Sequence, residues 1–179
     1  MTTSLLKMVD FYNALLDVKP AISSRPPVAI LAGVKLTAKV GQPLMVETYD
    51  YELACRSLPA GAMDVTFTAV VPFAQLFEWV RKQPRGAGDY LDIIPEGQGQ
   101  DTDGSLIVDK VTFVAAHRMA LATLPLDEYP TVPSLGDKIT DNRFDFDAAG
   151  EFADSVTAVA RFAATPNQYA ENTFQWISI

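Results

Sequence analysis

Two stretches of the chain carry apolar residues at the spacing of an amphipathic helix. From Leu5 to Ile22 the apolar positions fall on one stripe, and the polar positions lie off it. After Val71-Pro72, a second stripe occupies positions i, i+3, i+4 and i+7, formed by Phe73, Leu76, Phe77 and Val80. The pattern predicts a first helix over 5–22, which Pro20 kinks or ends, and a second helix that begins near Pro72.

Alternating or continuous apolar runs predict strands around the second helix. The predicted strands are residues 28–38, 44–56, 64–70, 90–94, 106–108, 111–115 and 118–124. The first two form a hairpin around Gly41, and a proline-containing linker covers 126–138. A strand–helix–strand order over 144–179 repeats the order that opens the chain. The chain is therefore predicted to be α+β, with one domain over 1–134 and a partial second domain over 135–179.

Composition narrows the class of protein. An apolar fraction of 49% supplies a real core, and no apolar run is long enough to span a bilayer. The N-terminus lacks the pattern of a secretion signal, and Cys55 is the single cysteine, so we expect a soluble cytoplasmic protein. A net charge of −8 argues against nucleic acid, but it does not describe where the cations lie.

The sequence carries no pattern that a metal site or a catalytic centre would need. His117 is the single histidine and has no cysteine cluster to share a zinc ion with. The segment 101–104 lacks the later ligands of a calcium loop, and 97–99 lacks the third glycine of a dinucleotide fingerprint. We therefore expect neither metal nor cofactor, and a binding or structural role rather than an enzyme.

A stiff corner follows the first helix. Pro26 and Pro27 each disfavour helical geometry in the residue before them, so the helix must end near Ser24 and Arg25 sits at the turn. A cation on such a corner can be placed accurately against a phosphate or a carboxylate. The alternative is a solvated loop arginine, which is the commoner fate of an arginine.

Several segments, in order, resemble the bacterial sliding clamp, the beta subunit of DNA polymerase III. They are the helix end and corner at 15–18 and 25–36, the run Leu44-Met45-Val46-Glu47-Thr48-Tyr49-Asp50-Tyr51-Glu52-Leu53, the helix start Val71-Pro72-Phe73-Ala74-Gln75-Leu76-Phe77, and the run from His117 through Thr123-Leu124-Pro125 to Tyr129-Pro130. The resemblance covers residues 5–135 as a first clamp domain, and 144–179 is similar to the opening of a second. It implies the DNA clamp (processivity) fold, with two helices packed on antiparallel sheets.

The resemblance also implies a function without catalysis. Clamps encircle duplex DNA without sequence preference and tether the replicative polymerase, with helices that face the central hole. By position, Arg25 matches the arginine that clamps place at the DNA. Further candidates for DNA contact lie on or near the two helices: Lys7, Lys19, Arg81, Lys82 and Arg85. The residues Ala74 and Gln75 stand where many clamps have basic residues.

The resemblance implies partners as well. Arg118, Met119 and Leu121 match the strand by which the first clamp domain pairs with another subunit, although an apolar strand residue can equally belong to the core. Duplex DNA, the polymerase and the clamp loader are the expected partners. Because a clamp has more domains than this length allows, we expect either a fragment of a longer clamp or a chain that self-associates or is completed by another chain. The alternatives are a clamp-fold protein that binds a clamp or a replication partner, and an unrelated α+β enzyme or ligand-binding domain.

Overall fold

The structure is a computed structural model that describes residues 6–22, 26–86, 89–97 and 106–131. The chain divides into two units, Met1–Pro133 and Ser134–Ile179, and all described residues belong to the first. The predicted partial domain over 135–179 lies outside the described residues and stays a prediction. Arg25, the corner cation, also lies outside them.

The described part of the chain contains two α-helices and eight β-strands. The helices are α1 (Met8–Val18) and α2 (Phe73–Arg81). The strands are β1 (Gly33–Ala38), β2 (Met45–Tyr49), β3 (Ala54–Ser57), β4 (Phe67–Pro72), β5 (Asp92–Glu96), β6 (Leu106–Ile107), β7 (Lys110–Val114) and β8 (Arg118–Ala122). A single 3₁₀ turn, Lys19–Ala21, follows α1 and contains Pro20, so the predicted break at this proline is confirmed.

The strands form two sheets. A five-stranded sheet has the order β3-β2-β1-β4-β6, and a three-stranded sheet has the order β5-β7-β8. The predicted antiparallel arrangement holds for every described strand pair except one. Strand β4 pairs with β6 in parallel, because the chain crosses through α2 and β5 before it returns beside β4.

The predicted strand over 28–38 is wrong in its first half. Residues Ala29–Ala32 form a 3₁₀ helix, in which the N–H of Leu31 donates to the carbonyl of Val28 at 3.1 Å. The strand begins at Gly33, where a Cβ atom would lie 2.5 Å from Cγ1 of Val70. A residue without a side chain lets β1 and the 3₁₀ helix approach β4 this closely.

The predicted run over 44–56 is two antiparallel strands rather than one. The chain reverses after β2, where the side chain of Asp50 accepts hydrogen bonds from the N–H groups of Glu52 (3.0 Å) and Leu53 (2.7 Å). Tyr51 takes a positive φ of 76° to complete the turn. This Asx-type turn brings β3 back against β2 and places β3 at the edge of the five-stranded sheet.

Both helices pack on one hydrophobic core with both sheets. The ring of Phe113 on β7 is fully buried and lies 6.3 Å from Phe11 of α1 and 6.0 Å from Trp79 of α2, measured between ring centroids. A second, smaller cluster joins Ile30, Leu31, Val70 and Tyr129. Because Val70 alternates along β4 with residues of the main core, this cluster lies on the other face of the five-stranded sheet. Among the described residues, no helix is long and apolar enough to cross a membrane.

Candidate nucleic-acid interface

The solvent side of the helix pair carries its cations at the helix ends. Lys7 immediately precedes α1, and Lys19 immediately follows it. At the other helix, Arg81 is the last residue of α2, Lys82 caps it, and Arg85 lies just beyond. All of these residues are exposed. The structure therefore places the sequence-predicted cations of the described segments at the ends of the two helices or just beyond them.

The middle of this surface is not basic. Asn13 and Leu16 on α1, and Ala74 and Gln75 on α2, are exposed and uncharged. Between Lys7 and Lys19, α1 carries carboxylates and no cation. Any attraction for a polyanion therefore comes from the helix ends and not from the centre of the pair.

Arg81 and Lys82 differ in how freely they can meet a new partner. Arg81 forms an ion pair with Glu78 at 2.9 Å, and both side chains are more than half exposed. Such exposed pairs contribute about 0–1 kcal/mol, so exchanging Glu78 for a phosphate costs little. Lys82 sits at the C-terminal end of α2, where the carbonyl ends of the helix favour a cation.

Arg85 and Lys19 each lie over an aromatic ring. The guanidinium carbon of Arg85 is 4.1 Å from the ring centroid of Tyr12, and Nζ of Lys19 is 5.1 Å from that of Phe77. The two rings stack on each other with centroids 5.9 Å apart. The sequence pattern places both aromatics in the apolar stripes but does not predict their contact with cations. Helical spacing does not show which residues of a stripe are fully buried and which lie at its exposed margin.

Buried polar side chains hold the helix ends in place, and sequence reasoning missed these as well. The hydroxyl of Thr48 on β2 donates to the carbonyl of Val18, the last residue of α1, at 2.6 Å. Gln83 is only 4% exposed; its amide nitrogen donates to the carbonyl of Trp79 at 3.3 Å, and its amide oxygen accepts from the N–H of His117 at 3.1 Å. The end of α2 is thereby tied to the turn that leads into β8.

The predicted subunit-contact residues lie on β8, an edge strand. Arg118 is exposed, but Leu121 is 6% exposed and belongs to the main core, against which Met119 also packs. The side chains of Met119 and Leu121 therefore face inward, which agrees with the alternative interpretation that they are core residues. Among the described strands, β8 pairs only with β7.

Backbone hydrogen bonds give the direction of the open edge of β8. The N–H of Thr123 donates to Asp109 on the β7 side, and that of Leu124 donates to Val70 on the opposite side. The side to which a residue's N–H and C=O groups point alternates from one residue to the next along a strand. The backbone groups of Arg118, Ala120 and Ala122 therefore point away from β7, as those of Leu124 do. A pairing surface on β8 thus consists of these backbone groups. Within the described segments, no cluster of His, Cys, Asp and Glu is arranged to hold a metal ion.

Comparison with known proteins gives consistent matches. The family model described as DNA polymerase III beta subunit, N-terminal domain, matches residues 5–133. A beta sliding clamp of Streptomyces coelicolor is 29% identical over 115 residues, which is 64% of this chain and 27% of that protein. A beta sliding clamp homolog, GriR, of Streptomyces muensis is 31% identical over 114 residues, 64% of this chain and 27% of its own length.

Solved structures share the fold. The sliding clamp of Caulobacter crescentus superposes with a TM-score of 0.58 at 24% identity, covering 75% of this chain and 34% of that chain. The DNA polymerase III beta subunit of Pseudomonas aeruginosa gives a TM-score of 0.57 at 23% identity, covering 75% and 32%. The predicted clamp fold is therefore confirmed for the first domain. The matched region spans about a quarter of the length of the two Streptomyces relatives.

Proposed function

Because the chain belongs to the DNA polymerase III beta subunit family, whose N-terminal-domain model matches residues 5–133, we propose that it is a DNA sliding clamp or a piece of one. It holds duplex DNA by encirclement, without sequence preference and without catalysis. In doing so it tethers a replicative polymerase and is placed on DNA by a clamp loader. The family match over the whole first domain is the observation that carries this proposal.

The cations at the helix ends support contact with the DNA backbone. We assign phosphate contacts to Arg25, Lys7, Arg81, Lys82 and Arg85. Contacts to phosphate carry no sequence information, which suits a protein that must move along any duplex. Their strength falls as salt rises, because each neutralised phosphate releases counterions.

A salt titration of duplex binding tests these roles. For the full chain, the logarithm of the affinity falls linearly with the logarithm of salt concentration, and Arg25→Ala or Lys82→Ala each lowers the slope by about one. Lys39→Ala, in the turn after β1, is the matched control and leaves the slope unchanged. An unaltered slope in Arg25→Ala removes that residue from the interface, and absence of salt-dependent binding by the wild type contradicts the proposed function.

Encirclement makes a separate prediction. A closed ring stays on circular duplex when salt is raised but leaves linear duplex through its ends. Once a clamp loader has placed the protein on both forms, its retention can be compared after a salt wash, and equal loss from both contradicts topological binding.

Ring closure requires self-association or completion by another chain, and we assign the edge of β8 to this contact. Arg118 supplies its exposed side chain and backbone, whereas Met119 and Leu121 shape the strand from the core side. Ala120→Pro removes an N–H that points away from β7, so it blocks edge pairing and spares the ladder within the domain. Light scattering should show loss of association in Ala120→Pro and not in Ala120→Ser, which keeps the N–H; association of the proline variant would contradict this assignment.

A second candidate function is that of a clamp-fold protein that binds a clamp or another replication protein without encircling DNA. The uncharged side chains of Ala74 and Gln75, exposed on α2, favour it. A pull-down with a full-length clamp discriminates the two. Capture of the clamp together with no retention on circular DNA supports this second function.

A further inference from the structure

Two stacked rings, each covered by a cation, cross the boundary between the two helices. Arg85 lies over Tyr12, Tyr12 stacks on Phe77 with an interplanar angle of 15°, and Lys19 lies over Phe77. Phe73 extends the stack by packing on Phe77 at 5.4 Å. Tyr12 belongs to α1 and Phe77 to α2, so the stack joins elements from both halves of the helix pair.

The rings have a fixed position, whereas the cations would otherwise be mobile. Tyr12 and Phe77 are half-buried and pack against the main core. Arg85 and Lys19 are exposed, and long exposed cations lose substantial rotamer freedom when they meet a partner. Contact with a fixed ring removes part of that freedom in advance, so less is lost when an anion binds.

The contact with a ring also leaves the hydrogen-bond donors available. No side-chain hydrogen bond or ion pair joins Arg85 or Lys19 to another residue of the described segments. Arg81 differs, because one of its donors is occupied by Glu78. Attraction between a cation and a ring needs no acceptor atom, so the N–H groups of Arg85 remain free for a phosphate, with the fork geometry that arginine offers.

We propose that Tyr12 and Phe77 are positioning residues that hold Arg85 and Lys19 ready for the phosphates of duplex DNA. This inference rests on the proposed function, since it names how one contact of that interface, Arg85, is prepared and adds Lys19 as a second. Because the centre of the helix pair lacks cations, the interface depends on how accurately those at its ends are placed. The competing interpretation is that the alkyl stems of the cations simply cover the margin of the core.

A double-mutant cycle on the full chain separates the two interpretations. Tyr12→Leu should weaken duplex binding about two- to fivefold, the range expected from one exposed cation–ring contact, and Tyr12→Phe, which keeps the ring, should bind like the wild type. In the Arg85→Ala background, Tyr12→Leu should cause no further loss. Equal losses in both backgrounds overturn the inference while leaving the proposed function intact; failure of the wild type to bind duplex overturns both.

A measurement without DNA provides an independent readout. In the free protein, the side-chain protons of Arg85 should show a ring-current shift in NMR spectra that Tyr12→Leu removes and Tyr12→Phe retains. Absence of that shift in the wild type overturns the inference even where DNA binds. If Tyr12→Leu fails to fold, this measurement on the wild type and Tyr12→Phe still tests the contact between Arg85 and the ring, and absence of the shift overturns the inference.

Discussion

Because the phenol of Tyr129 is buried, we predict that the free energy of unfolding falls at alkaline pH, and that the hydroxyl of this one residue causes the fall. Tyr129 is 8% exposed and packs with Ile30, Leu31 and Val70. Desolvation raises the pKa of its phenol well above the ordinary value, and the nearby carboxylate of Glu47 raises it further. The backbone of Tyr49 offsets part of this effect on the pKa. The folded protein therefore keeps the Tyr129 proton at pH values where an unfolded chain releases it.

The sign and size of the effect follow from proton linkage. A folded-state pKa above the unfolded value of about 10 gives stability that is complete below pH 10 and declines as pH rises. Above pH 10 the unfolded state binds one proton fewer at this site, so the free energy of unfolding falls by about 1.4 kcal/mol per pH unit. Between pH 8 and pH 11 the loss from Tyr129 alone amounts to about 1.4 kcal/mol.

Urea unfolding at several pH values from 8 to 11 measures this loss against Tyr129→Phe. The difference in unfolding free energy between the wild type and the variant should change by about 1.4 kcal/mol over that range. Tyr51→Phe removes a hydroxyl from a residue that is 54% exposed and should keep the wild-type pH dependence. A constant difference between the wild type and Tyr129→Phe refutes the reasoning, and with it the tight docking of this segment on the sheet.

Other predictions concern the core, a helix end and a sheet. Phe113→Ala should lower the free energy of unfolding by about 3–5 kcal/mol, measured by chemical denaturation, because its ring touches both helices; a loss below about 1 kcal/mol would contradict that packing. Thr48→Val should cost about 1–3 kcal/mol, since it leaves the buried carbonyl of Val18 without its donor, and an unchanged midpoint would contradict the bond. Hydrogen bonds from Lys110 and Thr112 lower the pKa of Glu96, so its carboxylate stabilises the fold at neutral pH and loses that effect as pH falls. In Glu96→Gln, the free energy of unfolding should therefore fall less steeply with acidification than in the wild type. The same acid dependence in both proteins would contradict this role.

The elements that could be predicted from sequence are those that local spacing determines. The stripes of α1 and α2 depend on residues within a few positions, and both helices lie where the stripes predict. The predicted single strand over 44–56 is wrong at Asp50, where the alternation of the sequence changes phase. A change of phase alone does not show that the chain reverses, whereas the side-chain bonds of Asp50 do. The parallel pairing of β4 with β6 could not be predicted, since it depends on how a distant segment returns to the sheet.

The candidate site divides in the same way. Exposure of Arg81 and Lys82 follows from their place off the apolar stripe, and Arg85 follows Pro84 in the segment that ends the helix. The contacts of the side chains at the end of α2 do not follow from the sequence pattern. Arg85 lies over the ring of Tyr12 on the other helix, and Gln83 bonds to the turn before β8. Contacts between segments far apart in sequence determine which cations are held in place and which are not.

Strand β8 can belong to the core and also form a subunit contact, because its side chains and its backbone groups point in different directions. Side chains alternate above and below a sheet, so Leu121 fills the core while its neighbours are exposed. Backbone groups point within the plane of the sheet, so the open edge at Ala120 exists whatever the side chains do. Leu121→Ala therefore tests the core through stability, and Ala120→Pro tests the edge through association. If the edge is a subunit contact, the second variant should abolish association at nearly unchanged stability, a result that core packing alone does not explain.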